Sequence, residues 1–322
     1  MKTRFAFIGF QHPHVWDLVT RASAHPDIEI VAMCEEDAAT HAKLAGDKRV
    51  HLPHTDYRAM LAEVACDAVV VGDWFGKRGR VVIDCLNAGR HVLADKPMCT
   101  TLAEHDEIVR LATARKLTVG MMLDMRDSGV FIKVRELVQA GEIGEVRAAW
   151  YHEAGKHGGT INDIAVHGLD LVPWITGLPL RRVTAARVWA EGVPADSSFV
   201  NAGQCLLELA NGAGLMLDVS YFSPNSHGYT LPLYWRLTLW GSRGVIEASM
   251  TAQEISLFKE GEKSGRAVPI AAPNPGGYLT AFLNEMHGRR ESGLTSAEVF
   301  RASWVTLKAQ QAADEGSGGL PL

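Results

Sequence analysis

The sequence predicts an α/β fold with two sheets: an open parallel sheet comes first, and an α/β domain with a largely antiparallel open sheet follows. Over residues 1–121, short β-rich runs alternate with helical patterns, which implies parallel strands joined by right-handed crossovers. After Met121 the strands become longer, and Asn211-Gly212 between two of them is a strong hairpin signal. We therefore expect two domains, 1–122 and 123–322, a number that suits a chain of 322 residues.

The first region supplies the strands of the parallel sheet. The predicted strands are Arg4–Ile8, Glu29–Cys34, Ala68–Gly72, His91–Ala94 and Leu117–Met121, with a weaker one near Val50. The predicted helices cover 14–24, 37–45, 78–89 and 101–115. An open parallel sheet binds ligands at the carboxyl ends of its strands, so the loops that follow these strands are the places to search for site residues.

The second region combines several strands with four helices. The predicted strands are 145–152, 182–190, 198–209, 214–221, 234–240 and 244–249, and the predicted helices are 130–140, 160–176, 278–288 and 296–313. Gly177 is expected to end the second of these helices, 160–176. The glycine-rich tail 316–319 is expected to be frayed.

Composition excludes several classes of protein. The formal net charge is −5 and 21% of residues are charged, which gives no case for nucleic acid or an anionic membrane as a partner. No apolar run approaches the roughly 20 residues of a membrane span, and the N-terminus lacks a signal-peptide pattern. Five cysteines without a CxxC pair indicate buried free thiols in a reducing compartment, so we expect a cytoplasmic protein.

The first turn has the position of a phosphate-binding loop, because it follows a strand and opens a helix. Gly9 is present, but Gln11 and His14 stand where the second and third glycines of the fingerprint belong, and Pro13 removes a backbone donor. We predict that a dinucleotide still binds here, with Gly9, Gln11 and His12 in contact with it. The alternative is a scaffold that has lost this site, with His12 and His14 as ordinary helix-start residues.

The end of the second strand carries acidic residues, Glu35-Glu36-Asp37. An acid at this place suits the ribose hydroxyls of NAD, and no arginine stands nearby to accept the 2′-phosphate of NADP. We therefore predict NAD in preference to NADP, with Glu35 as the contact and Glu36 as second choice. Alternatively, all three acids are solvated residues that favour a helix N-terminus.

The loop after the strand 68–72 is also expected to face the cofactor. Gly72 ends that strand, Trp74 is predicted to cover a nicotinamide or sugar face, and Lys77 or Arg78 is predicted to meet a phosphate or an acidic group. A solvated basic turn is the competing interpretation.

Three ionisable residues are candidates for catalysis. Lys96 follows the strand 91–94 within Asp95-Lys96-Pro97, where an X-Pro bond can be cis. Asp163 and His167 are four residues apart and share one face of a predicted α-helix. The competing interpretations are a surface lysine, a helix-capping aspartate and a core histidine. Zinc held by His152, His157, Asp163 and His167 is a further alternative, but the spacing matches no zinc pattern, and we predict no metal.

These segments together resemble the Gfo/Idh/MocA family of oxidoreductases over the whole chain. The similar segments are AGRHVLADKPMCTTLAE (88–104), AGEIGEV (140–146), GGTINDIAVHGLDLVPWITG (158–177) and LTLWGSRGVIEA (237–248). The resemblance implies an NAD(P)-binding Rossmann domain, a C-terminal α/β domain whose open sheet commonly joins subunits, and a homodimer or homotetramer. It also implies that Lys96, Asp163 and His167 line the catalytic pocket.

The activity that the resemblance implies is hydride transfer between a nicotinamide and a secondary alcohol or ketone of a sugar, inositol or related polyol. In that mechanism His167 is the general base, Asp163 holds substrate and imidazole, and Lys96 favours the developing alkoxide. Two alternatives remain open: a lyase or hydrolase that oxidises a sugar transiently with retained NAD, and a non-catalytic sugar-binding or regulatory protein. The altered glycine turn, the Gly72-Asp73-Trp74 loop and Asp95 in place of a glutamate depart from the family pattern.

Overall fold

The computed structural model describes residues 2–154, 161–190, 202–220, 235–289 and 293–322. The chain forms two compact units, Met1–Met122 with Gly276–Ser303, and Leu123–Pro275 with Trp304–Leu322. The break after Met122 lies where the sequence pattern changes. The segment Gly276–Ser303, which we had placed in the second domain, lies in the first unit.

The first unit contains a parallel sheet with the strand order β2-β1-β3-β4-β5. Its elements are β1 (Thr3–Ile8), α1 (Val15–Ala24), β2 (Ile28–Cys34), α2 (Ala38–Leu44), α3 (Tyr57–Glu63), β3 (Ala68–Val71), α4 (Phe75–Asn87), β4 (His91–Ala94), α5 (Leu102–Arg115) and β5 (Val119–Met121). All five main strand predictions are confirmed, and the carboxyl ends of these strands share one edge of the sheet.

The weaker strand near Val50 was a wrong prediction. In that segment the structure has one isolated bridge, between Cys34 and His54, and then α3, which the sequence analysis missed. Asp56 begins α3 because its side chain accepts hydrogen bonds from the backbone amides of Arg58 and Ala59.

The second unit contains one sheet, whose order in the described ranges is β13-β12-β11-β10-β6-β9-β8-β7-β14. A short 3₁₀ turn (Asp124–Asp127) precedes α6 (Gly129–Gln139), and a π-helical turn (Ile161–Ala165) precedes α7 (Val166–Thr176). The strands are β6 (Val146–Ala154), β7 (Leu180–Trp189), β8 (Ala202–Leu209), β9 (Gly214–Ser220), β10 (Arg236–Gly241), β11 (Gly244–Ser249), β12 (Glu254–Lys259) and β13 (Arg266–Pro269). Neighbouring strands are antiparallel except β6 and β9, which are parallel.

The C-terminal elements are α8 (Gly277–Met286), α9 (Ser296–Asp314) and β14 (Leu320–Pro321). The expectation of a frayed tail was wrong, because β14 pairs with β7 and the amide of Leu322 donates to the carbonyl of Arg181 at 2.7 Å. The strands β12 and β13 were also missed. The hairpin at Asn211-Gly212 is confirmed, with Gly212 at φ +84° between β8 and β9.

Helix α8 belongs to the first unit because its apolar face packs in the core of the parallel sheet. Tyr278, Leu279 and Phe282 are buried in the same cluster as Phe5 and Leu93. The rings of Phe5 and Phe282 meet edge to face at 6.1 Å. A chain-order division at residue 122 cannot foresee this return of the chain.

In the second unit, the apolar residues of α6, α7 and the end of α9 form one core with one face of the sheet. The other face carries large exposed side chains, among them Leu206, Met216, Trp240 and Phe258. None of the helices in the described ranges combines the length and apolarity that a membrane crossing requires.

Candidate active site

Two glycines shape the carboxyl edge of the parallel sheet. Gly9 has φ +82°, and a Cβ there would lie 2.4 Å from the Cα of Asp73 in the turn after β3. A Cβ on Gly72 would lie 2.6 Å from the side chain of Val15 at the start of α1. The turns after β1 and β3 therefore pack closely only because both residues are glycine.

Glu35, the predicted ribose contact, is buried at the end of β2. Its two carboxylate oxygens accept the backbone amides of Phe10 and Asp37, each at 2.7 Å. Burial raises the pKa of Glu35, and these two hydrogen bonds oppose the rise. The residue thus ties the first turn to the end of β2, and its contact with a ribose stays a prediction. The second choice, Glu36, is half-buried and accepts the amide of Tyr57 at 3.4 Å.

Gln11 and Trp74 lie at the same edge with more exposure. Gln11 is exposed and hydrogen bonds to Asp37, whose pKa is lowered mainly by the backbone amide of Thr40 and further by Gln11. The Trp74 ring lies against Gly76, where a Cβ would approach it to 2.3 Å, and its centroid is 4.6 Å from that of Phe75. Its exposed part leaves room for the predicted contact with a flat ligand.

Asp95 is the centre of a buried polar cluster after β4. Its Oδ1 accepts the backbone amide of Lys96 at 2.7 Å and lies 3.2 Å from Nδ1 of His14. Its Oδ2 lies 2.6 Å from Nδ1 of His12 and 3.2 Å from Nη2 of Arg78. Burial acts to raise the pKa of Asp95, but the charge of Arg78 and the two imidazoles outweigh it, and the pKa lies well below its usual range. Asp95 is therefore ionised at neutral pH.

Arg78 is fully buried, so the prediction that it meets a phosphate or an acidic ligand was wrong. Its guanidinium donates to the carbonyl of Asp73 from Nε (3.2 Å) and Nη2 (2.8 Å), and to the carbonyl of Pro97 from Nη1 (2.7 Å). It joins the turn after β3 to the Asp95-Lys96-Pro97 segment. Sequence reasoning missed this role, because the only signal was a basic residue near the start of a helix. Lys77, one residue earlier, is exposed.

Lys96 is buried, and the peptide bond between Lys96 and Pro97 is cis. Cys99, three residues later, has its pKa raised to about 12, mainly by burial. A thiol with that pKa is not a nucleophile at neutral pH. All five cysteines are buried and form no disulfide, as we predicted.

His12, His14 and Asp95 are also close enough together to be considered as metal ligands. Two ligands on one tetrahedral zinc with bonds of about 2.0–2.1 Å lie roughly 3.3 Å apart. The 2.6 Å between His12 Nδ1 and Asp95 Oδ2 is shorter than this separation, so the arrangement does not fit zinc. Of the zinc alternative, His157 lies outside the described residues, and Nδ1 of His152 lies 2.8 Å from Asp218.

Asp163 and His167 lie at the entry to α7, but not on a single α-helix as predicted. Ile161–Ala165 form a π-helical turn, and the α-helix begins at Val166. π-Helical turns are rare and are often found at functional sites. Gly177 ends α7 in the left-handed conformation, as expected. Thr160, the first residue of the predicted helix 160–176, lies outside the described residues.

His167 is buried, and Asp163 is half-buried. Nδ1 of His167 lies 3.9 Å from Oδ1 of Asp124, and its ring centroid is 5.5 Å from that of Trp235. Asp124 belongs to the 3₁₀ turn after β5 and was missed, although it follows a strand as site residues often do. At 3.9 Å its carboxylate is beyond hydrogen-bond distance from Nδ1 and acts on the imidazole through its charge.

Helix α7 also takes part in a second buried ion pair. Nε and Nη2 of Arg126 donate to the two carboxylate oxygens of Asp170 at 2.7 and 2.5 Å. The guanidiniums of Arg126 and Arg135 lie 5.7 and 4.5 Å from the ring centroid of Trp174. Asp170 and Trp174 therefore fix α7 against the segment that also carries Asp124.

Comparisons with known proteins show the family of this chain. Residues 3–123 match the family description "Oxidoreductase family, NAD-binding Rossmann fold", and residues 131–247 match "GFO/IDH/MocA C-terminal domain". The chain belongs to the GFO/IDH/MocA family. The resemblance seen in the sequence is thus confirmed, as is the prediction of an oxidoreductase with a fold that binds a nicotinamide dinucleotide.

Individual relatives in this family are distant. Inositol 2-dehydrogenase 2 of Saccharopolyspora erythraea is 25% identical over 90% of this chain and 84% of its own length. An oxidoreductase from Agrobacterium radiobacter, solved with NAD+, L-tartaric acid and magnesium, has a TM-score of 0.78 at 18% identity and covers 98% of this chain and 96% of its own. The aldose-aldose oxidoreductase of Caulobacter crescentus, solved with glycerol, has a TM-score of 0.79 at 16% identity and covers 99% and 100%. At such identities the two structures show the fold alone.

Proposed function

We propose that this protein is an NAD(P)-dependent dehydrogenase or reductase that acts on a secondary alcohol or ketone of a sugar, inositol or related polyol. The observation that carries the proposal is the family match across both units, within which Lys96, Asp163 and His167 are all present. The names of relatives, such as inositol 2-dehydrogenase, support a polyol substrate.

The first unit has features that suit a dinucleotide. Gly9 and Gly72 leave space that a Cβ would fill at the carboxyl edge of the sheet, and the N-terminus of α1 favours an anion. In our proposal Gly9, Gln11 and His12 contact the diphosphate, Glu35 or Glu36 the ribose, and Gly72, Trp74 and Lys96 the nicotinamide end. The bound nicotinamide supplies hydride transfer. The acidic residues at the end of β2 favour NAD over NADP.

The proton chemistry falls to three side chains. His167 takes the proton of the substrate hydroxyl, since an imidazole is an efficient general base near neutral pH. Asp124, 3.9 Å from Nδ1, favours the imidazolium that results. Asp163 holds the substrate hydroxyl, and the ammonium of Lys96 stabilises the developing alkoxide. Joint action of Lys96 with Asp163 and His167 is the part of this proposal that variants must test.

We also propose that two copies of the chain associate through the open face of the second unit's sheet. Leu206, Met216 and Trp150 lie side by side on paired strands β8, β9 and β6. Trp240 and Phe258 lie on that same face, because both are opposite Val245 in the pairings of β10, β11 and β12. Met216 is 52% exposed, and a face with several large exposed apolar side chains is typical of a protein–protein contact.

Light scattering should give a dimer or tetramer for the wild type. The double variant Met216→Lys/Trp240→Lys should give the monomer, and a wild-type monomer would refute this contact.

The five disulfide-free cysteines support our further proposal that the protein works in the reducing cytoplasm.

The decisive experiment identifies the nucleotide and then balances it against product. The purified protein is denatured, and any released nucleotide is identified by mass spectrometry. NAD and NADP are titrated calorimetrically, and inositols and aldoses are screened by absorbance of the reduced nicotinamide. Stoichiometric reduced cofactor with ketone product supports the proposal. Product without net reduced cofactor indicates a lyase or hydrolase with retained NAD, and absence of nucleotide binding indicates a non-catalytic protein.

A further inference from the structure

The first turn offers few backbone donors to a diphosphate. The amide of Phe10 donates to Glu35, and Pro13 has no amide hydrogen. The amides of Val15 and Trp16 donate back to the carbonyls of His12 and Pro13 at 3.2 and 3.3 Å. These are amides that a glycine-rich turn and its helix N-terminus would direct at phosphate. The amides of Gln11, His12 and His14 are the backbone donors that remain in this turn, and side-chain donors would add to them.

Two imidazoles, those of His12 and His14, lie in the same turn. The rings of His12 and His14 are 4.4 Å apart and nearly perpendicular. Nδ1 of His14 is hydrogen-bonded to Asp95 at 3.2 Å, whereas Nδ1 of His12 is buried and lies 2.6 Å from Asp95 without the geometry of a hydrogen bond. The Asp95 side chain is fully buried, while 24% of the His12 and 39% of the His14 side chain is exposed. The His14 ring is therefore anchored at one nitrogen, and another part of each ring is accessible.

The anchor determines which nitrogen changes its protonation. An ionised carboxylate only accepts hydrogen bonds, so Nδ1 of His14, which is bonded to Asp95, carries the hydrogen. Nε2 of a neutral ring then has a lone pair that repels a phosphate oxygen. Protonation places a hydrogen and positive charge on Nε2, which makes a strong donor to phosphate.

The other charged groups around the pair do not supply this switch. Arg78 balances Asp95 and is held by the carbonyls of Asp73 and Pro97. The carboxylates of Asp73 and Glu35 face the same turn from β3 and β2, where they are engaged by the amides of Trp74 and Phe10. Two lysines also lie at this edge, Lys77, whose charge contributes to lowering the pKa of Asp37, and Lys96, next to Asp95.

We propose that His12 and His14, oriented by Asp95, form a protonation-dependent clamp for the diphosphate of the dinucleotide in place of the missing glycine-loop amides. This inference rests on the proposed function, because it assumes that a dinucleotide binds at the first turn. It predicts that affinity falls as pH rises through the range in which imidazoles titrate.

The test measures the binding of ADP-ribose, NAD+ and adenosine by calorimetry between pH 5.5 and 8.5. ADP-ribose and NAD+ keep a constant diphosphate charge over this range, and adenosine lacks phosphate. We expect wild-type affinity for ADP-ribose and NAD+ to fall about tenfold or more across the range, with adenosine unchanged. The double variant His12→Gln/His14→Gln should bind both diphosphates weakly at every pH, and His51→Gln, an exposed histidine, should behave as wild type.

The outcomes separate the two proposals. Diphosphate binding that is tight and independent of pH in the wild type overturns the clamp and leaves the proposed function intact. Failure of ADP-ribose, NAD+ and NADP+ to bind at any pH overturns the proposed function and the clamp with it. If the double variant does not fold by circular dichroism, the wild-type profile and the single variant His14→Gln, at the more exposed ring, decide the question.

Discussion

The two units each hold a candidate catalytic region next to a buried arginine–aspartate pair, but they fix it by different means. In the first unit, backbone groups hold the pair: Asp95 accepts the amide of Lys96, and Arg78 donates to two carbonyls. In the second unit, side chains hold it: Arg126 forms a fork with Asp170 and lies near Trp174.

This difference means that the surroundings of Lys96 are fixed by the edge of the parallel sheet, whereas the position of His167 depends on side-chain packing. The backbone beside Lys96 is set by β4 and by the network around Asp95. The position of His167 depends on the π-helical turn, on Asp124 and on the fork that secures α7. A substitution that breaks the Asp95 network should therefore lower the stability of the first unit, whereas a substitution of His167 should lower kcat.

The largest effect is expected on turnover. In His167→Asn and in Lys96→Met, kcat should fall about 10²–10⁴-fold, because each removes a group that handles the proton or the alkoxide. Steady-state kinetics on the substrate found in the polyol screen measures it, with thermal unfolding as a check of folding. His152→Asn, which removes the imidazole that bonds to Asp218, should keep kcat. Near-wild-type turnover in both site variants would refute the assigned roles.

The next effect compares the two buried ion pairs. Arg78→Met should lower the free energy of unfolding by about 3–5 kcal/mol, because it leaves the carboxylate of Asp95 buried without its cation. Arg126→Met should cost less, because that pair is 11% and 3% exposed while Arg78 and Asp95 are fully enclosed. Arg110→Met, in an exposed pair with Glu107, should cost least of the three, because solvent screens an exposed ion pair. Urea unfolding ranks the three, and a smaller loss for Arg78→Met than for Arg126→Met would contradict the comparison.

Most elements of the first unit could be predicted from the sequence, because each of its main strands is short, apolar and followed by a clear turn. It missed α3, although Asp56 before Tyr57, with Met60 and Leu61 one turn later, is a readable helix start. It misplaced α8, because the return of a chain to an earlier sheet depends on tertiary packing such as that of Phe282 on Phe5.

The site was predictable in its residue types but less so in its geometry. The positions of Lys96, Asp163 and His167 came from motifs, whereas the π-helical turn has no signal in helical periodicity. The enclosure of Arg78 was missed because charged residues are seldom fully buried unless they are paired, and its partner Asp95 is 17 residues away. The contacts of His12 and His14 with Asp95 likewise join the first turn to the end of a strand 81 residues later.

A smaller effect concerns the backbone at the sheet edge. Gly9→Ala and Gly212→Ala both place a Cβ on a residue with positive φ, which costs about 1–2 kcal/mol. At Gly9 the new Cβ would also meet the backbone of Asp73 at 2.4 Å, whereas at Gly212 nothing lies within 4 Å. Urea unfolding should therefore show a larger loss for Gly9→Ala. Equal losses would show that the turns after β1 and β3 can separate without cost, against the rigid edge described for the first unit.

The smallest effect is a pH dependence within the first unit. Burial lowers the pKa of His91, and the nearby His287 lowers it further. Nδ1 of His91 accepts the amide of Thr118 at 2.9 Å, so the folded state requires the neutral ring. Since the unfolded chain binds this proton more readily, stability is lost as pH falls from about 6.5 through the lower pKa of the folded state, and is unaffected by this group above 6.5.

Urea unfolding at pH 5 and 7.5 measures this loss. His91→Asn should have a shallower pH dependence than wild type, because its amide does not titrate in this range. His51→Asn, at an exposed position, should keep the wild-type slope. If His91→Asn keeps the wild-type slope, the acid sensitivity arises at other groups. The start of β4 then does not depend on a neutral imidazole, although His91 accepts the amide of Thr118 there.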